Sequence, residues 1–87
     1  MRLNDAVTAA VRVQSTRKGI SLSSVAEALG TSRTSFWERL SGRKAWDTED
    51  FDGLARALGL ESSWQLLEAA KHEQLSALAD SSLERVS

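Results

Sequence analysis

Apolar residues recur along this chain at helical intervals, in five stretches parted by short polar or glycine-bearing breaks. The sharpest pattern lies between Ile20 and Lys44. Leu22, Val25, Ala26 and Leu29 fall at i, i+3, i+4 and i+7, which is one face of a helix. Ser21, just ahead, offers a hydroxyl to a backbone N–H of the first turn. Gly30 follows at once and can end the helix in a left-handed conformation. Ser32 can cap the next helix, roughly Arg33 to Ser41, in which Phe36 and Leu40 face inward four residues apart. Ala26 is small where the two helices would cross, which permits a close and steep approach.

The flanking stretches supply what covers this pair. Leu3, Ala6, Val7, Ala10, Val11 and Gln14 predict a first helix with Asn4 or Asp5 as cap, closing at Gly19 after Arg17 and Lys18. Trp46 precedes a further helix and is placed for a staple-like contact with Phe51. Asp47 is the expected N-cap of that helix, with Thr48, Glu49 and Asp50 at its positive end. Phe51, Leu54, Ala55 and Leu58 form its buried face and Gly59 its stop. Gly53, inside it, costs about 1 kcal/mol relative to Ala, and would allow close packing of a neighbour. Ser62 and Gln65 have capping-box spacing and open a last helix. Trp64, Leu67, Ala70, Leu75 and Leu78 are its expected buried positions, with Leu66 and Ala69 widening the stripe. The stretch from Lys71 to Ala79 exceeds what one small core needs, and so packs on its own domain, pairs with a second copy, or frays. Residues 80–87 read as a short, mobile polar tail after a single domain over residues 1–79.

Helix, turn of about three residues with a glycine, helix is the helix-turn-helix pattern. Its spacing resembles the Cro/C1-type (XRE) family of DNA-binding domains, including phage Cro-like proteins and repressors. The matching residues are Ile20-Ser21, Val25-Ala26, Leu29-Gly30, Ser32-Arg33, Phe36, Leu40, Ser41-Gly42-Arg43 and Leu54-Ala55-x-Ala57-Leu58-Gly59. They span roughly Ala6 to Leu60. The resemblance implies an all-α, compact five-helix lambda-repressor-like domain, here with an extended C-terminal helix. One departure stands out: the family often carries a phosphate-bonding Gln at the first turn of its second helix, where this chain has Leu22.

Composition narrows the chemistry. With no cysteine and a single histidine, His72, the 87-residue chain has no material for disulfides, thiolate sites or His clusters. No apolar run approaches the ~18 residues of a membrane span, and no signal peptide opens the sequence. No metal, cofactor, small-molecule ligand or membrane is expected as a partner. There are no paired carboxylates in an apolar context, no nucleophile–base pair and no Gly-rich phosphate loop, so an enzyme is not expected. The absence of proline and the abundance of Ala, Leu, Glu and Arg agree with an all-α fold.

The net charge of −1 speaks at first against a nucleic-acid partner. Its distribution points the other way. Eight bases and three acids up to Trp46 give +5, whereas three bases and nine acids from Asp47 onward give −6. Such a molecule presents a phosphate-seeking half and a phosphate-repelling half, which orients an encounter with DNA.

Base reading belongs to the second helix of the pair, whose N-terminal residues meet base edges in the major groove. Inward Phe36 and Leu40 put Thr34 and Glu38 on the opposite side, with Trp37 and Arg39 on the flanks. Arg33 has the fork to bond guanine O6 and N7, and Thr34 offers a hydroxyl or a methyl. Glu38 either accepts from cytosine N4 or holds Arg33 or Arg39 in place. Trp37 is either half-buried core or an apolar contact to a thymine methyl or sugar edge. Ser32, Ser35 and Ser41 are neutral donors for phosphate oxygens, with Arg39 as a flanking cation. Arg43 and Lys44, on the loop after Gly42, are expected to overlie the backbone. Arg17 and Lys18 either reach phosphate or complement their own helix dipole.

These features predict a cytoplasmic, nucleoid-associated regulator of double-stranded DNA, a small phage-type repressor acting by operator occupancy, with pairing through the last helix as one option. Two other readings fit the same residues. One is an antitoxin, whose terminal helix neutralises a toxin. The other is a protein-interaction module that keeps the fold without using it on DNA, to which Leu22, Glu38 and the net charge lend support.

Overall fold

The computed structural model describes residues 2–86, with side chains described through residue 79. It contains five helices: α1 (Leu3–Lys18), α2 (Leu22–Leu29), α3 (Arg33–Leu40), α4 (Thr48–Ala57) and α5 (Ser63–Val86). α1 lies along α5, and α2 packs on α4. At a rise of ~1.5 Å per residue, α5 is about 36 Å long, which accounts for the elongated 45 × 27 × 23 Å envelope.

The caps follow from local chemistry. Ser21 and Ser32 each accept a hydrogen bond from the backbone N–H three residues on, both at 3.1 Å. Asp47 and Asp50 cap each other's N–H groups at 3.0 Å, a complete capping box. Neither Asn4 nor Asp5 caps α1. That helix starts earlier, after Arg2, and the Asn4 carboxamide instead accepts from the Trp46 N–H at 2.8 Å. Gln65 does reach back, but to the N–H of Glu61 rather than of Ser62, at 2.9 Å.

One core unites the helices. Val7 and Val11 from α1, Val25 from α2, Phe36 from α3, Leu54 and Leu58 around α4, and Leu66 from α5 are its largest fully buried side chains. Trp46, between α3 and α4, is buried against it and meets Phe36 edge to face, with centroids 5.8 Å apart. Its indole N–H donates to Thr8 Oγ1 at 2.9 Å. The Thr8 hydroxyl in turn donates to the Asn4 carbonyl at 3.3 Å. The bonding and ring partners of Trp46 thus lie on α1 and α3, not on the helix that contains Phe51.

Two features correct the sequence reading of packing. First, the buried face of α5 is turned from the expected stripe: Ala70 is fully buried as expected and so is Leu66 at the stripe's edge, whereas Trp64 is 74% exposed and Leu75 and Leu78 are exposed as well. Leu67 and Ala69 sit at the core's edge. Second, Gly53 has a steric reason. A Cβ there would run into Leu29 Cδ2, so α2 and α4 approach closely enough that an added methyl displaces the end of that leucine side chain. The α5 backbone stays helical through Val86, while the side chains of the expected tail lie outside the described residues.

Trp46 and Trp64 should therefore behave oppositely in urea unfolding. Trp46→Ala opens a cavity and should lower the unfolding free energy by about 3–5 kcal/mol. Trp64→Ala should change it by less than ~0.5 kcal/mol, as surface substitutions usually do.

Candidate nucleic-acid interface

α3 presents its outer face around a shallow concavity of about 460 Å³ lined by Arg33, Thr34, Trp37, Glu38, Ser41 and Arg43. The four residues expected to read bases are all in it. The helix geometry explains why. With Phe36 and Leu40 buried, the side chains of Arg33, Thr34, Trp37 and Glu38 are left on the outer side of the helix. Trp37 is 47% exposed, its ring edge-on to Phe36 at 6.0 Å. It therefore sits at the boundary of the core, part of its surface open to solvent.

Gly42 sets the loop beside this face. At φ +88° it takes a left-handed conformation that a Cβ would strain. That turn lets the N–H groups of Arg43 and Lys44 both donate to the Glu38 carbonyl, at 2.9 and 3.1 Å. The Ser41 hydroxyl donates to the same carbonyl at 3.1 Å. The basic loop is therefore fastened to the last turn of α3, and Arg43 stands exposed at the rim of the concavity.

Glu38 does not hold Arg33 or Arg39. Its carboxylate pairs with Lys44 Nζ at 3.2 Å, a partly exposed contact that screens the acid on an otherwise cationic face.

The remaining expected phosphate contacts divide. Arg17 is exposed at the end of α1. The Lys18 ammonium donates to the Leu58 carbonyl, so it neutralises the negative end of α4 rather than only that of its own helix. Ser32 is exposed but commits its hydroxyl oxygen as acceptor to the Ser35 N–H, keeping its own O–H as a donor. Ser35 is half-buried, and its carbonyl accepts from Arg39 Nη1 at 3.2 Å. Arg39 turns inward, with Nε 3.0 Å from Asp50 Oδ2. Sequence spacing puts Arg39 on a flank but holds no sign of Asp50, because the two are brought together only by the fold of the intervening loop.

Among the described residues no helix is long and apolar enough to cross a membrane, and no group of His, Cys, Asp and Glu is arranged to hold a metal ion.

A capped α2, a glycine turn and an α3 whose outer face is polar and open define a helix-turn-helix domain. Solved structures of similar proteins agree. The clp gene regulator ClgR from Corynebacterium glutamicum superposes with a TM-score of 0.85 at 31% identity, over 99% of this chain and 90% of that one. A second structure of ClgR from the same organism gives 0.71 at 32% identity, over 83% of this chain and 92% of that one. A scan against protein-family models finds no match, and neither does a search of curated proteins. The chain belongs to the Cro/C1-type (XRE) helix-turn-helix family of transcription regulators. It is a regulator and not an enzyme.

Replacing Glu38 with Gln removes the acid from this face and frees Lys44. Binding to duplex of arbitrary sequence should strengthen, and the dependence of log affinity on log salt should steepen by about one unit as Lys44 turns to phosphate. Fluorescence anisotropy with a labelled duplex at two salt concentrations measures both.

Proposed function

We propose that this protein is a sequence-specific repressor that occupies a double-stranded DNA operator and blocks polymerase sterically. The observation that carries the reading is the gathering of Arg33, Thr34, Trp37 and Glu38 in one open concavity, with Arg43 at its rim. Base edges are then read by Arg33, a donor fork suited to guanine, and by Thr34. Trp37 supplies an apolar surface for a thymine methyl, and Glu38 an acceptor for cytosine N4 when Lys44 releases it. Arg43, Lys44, Ser41 and Ser32 hold the phosphate backbone beside α3, and Arg17 reaches it from the end of α1. Such a protein works in the cytoplasm, on the nucleoid.

The similar structures are of a bacterial gene regulator. They support regulation of transcription and lend nothing to a phage-type character, which rests on the sequence resemblance alone.

A palindromic operator calls for two copies. The exposed Leu75 and Leu78 on α5, beside Lys71 and Gln74, supply an apolar surface away from α3 on which a second copy can pair. In a dimer the two α3 helices stand about one DNA turn apart, ~34 Å. The same α5 surface would serve the antitoxin reading, and selection of DNA separates the two.

Selection of random duplexes on the purified protein should enrich a palindrome. On that site Arg33→Ala should cost about 1–3 kcal/mol and relax one base position, whereas Arg43→Ala should weaken all sequences alike and lower the salt slope by about one. Equal losses for both variants on selected and scrambled DNA would remove Arg33 from base reading. The absence of any enriched sequence would turn the search toward a protein partner. Sedimentation at micromolar concentration should show a dimer, at least with operator present, that Leu75→Ser/Leu78→Ser dissociates; monomers throughout would leave α5 without a pairing role.

A further inference from the structure

α3 is anchored along one edge only. Phe36 and Leu40 are buried, but its direct contact with neighbouring helices is slight, the largest being with α2. Something else must set its tilt. The side chain that crosses from α3 to the better-packed α4 is that of Arg39.

Arg39 and Asp50 are 21% and 17% exposed, with Nε 3.0 Å from Oδ2. The Nε–H is not aligned to form a hydrogen bond, so the contact is an ion pair. Nη1 is tied to the Ser35 carbonyl, which fixes the guanidinium along α3 itself. At the other end the carboxylate cannot swing. Asp50 Oδ2 accepts from the Asp47 N–H while the Asp50 N–H donates to Asp47 Oδ1, both at 3.0 Å. That capping box sits on α4, whose Leu54 and Ala55 are buried and which packs on both α2 and α5. A continuous rigid path therefore runs from the core through α4 and Asp50 to the last turn of α3. That turn bears Glu38 and Arg39, and its carbonyls hold the Arg43 loop.

We propose that Arg39 and Asp50 are a positioning pair that sets the pitch of α3 in the major groove, and so controls discrimination between sequences without touching DNA. The inference rests on the reading of α3 as the base-reading helix. It gives Arg39 a role other than phosphate binding, and it assigns a part in DNA recognition to an acidic residue.

The two roles differ in sign. Asp50→Asn removes a negative charge near a DNA-binding face, so electrostatics alone would tighten binding to every sequence. A positioning role makes the same change weaken cognate binding. Asn keeps an oxygen for the Asp47 N–H, so the capping box survives. Likewise Arg39→Gln, if Arg39 bound phosphate, would weaken all sequences equally and lower the salt slope by about one. If Arg39 positions α3, the loss falls on the cognate site alone and the slope is unchanged.

The experiment measures affinity for the selected operator and a scrambled duplex over a range of salt. It uses wild type, Arg39→Gln, Asp50→Asn and the double variant Arg39→Gln/Asp50→Asn, each held well below its melting temperature. Each single variant should lose on the order of tenfold on the operator, as expected for one member of a coupled pair. The scrambled duplex should change less than about twofold, the slope should hold, and the double variant should lose no more than either single one. Tighter operator binding by Asp50→Asn, or a uniform loss with a lowered slope in Arg39→Gln, would overturn the pair's positioning role. Should Asp50→Asn not fold, the Arg39→Gln arm decides by itself. Failure of wild type to prefer any duplex would instead overturn the functional reading beneath it, and is seen before any variant is made.

Discussion

The indole of Trp46 is where the domain is joined. Without it, α3 and the loop that follows would have little to hold them to the rest of the chain. Its ring lies edge-on to Phe36, its N–H reaches Thr8, and its backbone N–H reaches Asn4. One residue thus fixes the end of α3 to the beginning of α1, some forty positions earlier. The arrangement satisfies both polar groups of a residue whose bulk is out of water, which is the condition for burying a tryptophan at all. It also explains why α3 can be short and polar on its outside. Two buried side chains and one buried neighbour, bonded in two places, hold it to the core, and the Arg39–Asp50 pair adds a link to α4.

The electrostatic design follows from the same scarcity of contacts. A face that must attract phosphate cannot also be lined with unpaired acids, and the one acid on α3 is screened by a lysine from its own loop. Acids that follow Trp46 are used at the start of α4, where the helix dipole and two backbone N–H groups welcome them. Of these, Asp50 also faces Arg39. Charge is thus separated along the chain yet reconnected at one point in space.

Much of this is legible in the sequence. The α2–α3 pair is readable because its cues are local: Ser21, Ser32 and Gly30 act within one turn of themselves, and Phe36 and Leu40 mark an inner face by spacing alone. That Arg33, Thr34, Trp37 and Glu38 share the outer side follows from that face by simple geometry. What cannot be read depends on which partner the fold delivers. From the sequence Trp46 resembles a staple for Phe51, because only near neighbours are visible there, while its partners come from α1 and α3. Arg39 resembles a flanking cation for the same reason. In α5 the stripe is ambiguous because apolar residues occur nearly all round the helix. Bulk favours burying Trp64, yet packing against α1 selects the face of Leu66 and Ala70. Gly53 has the look of a defect until Leu29 is placed against it.

That last contact has a consequence for how the sequence can vary. Positions 29 and 53 share a single volume, in which the methyl of an alanine at 53 would meet the end of the present leucine. A gain at 53 is taken up by a turn of the leucine side chain, by a smaller residue at 29, or by a movement of α2. Because α2 leads directly into the turn before α3, such a movement would be carried to α3, the helix proposed to face DNA. A substitution buried between two supporting helices would then act as a change of aim. In any set of descendants of this chain, the two positions should be inherited as a pair.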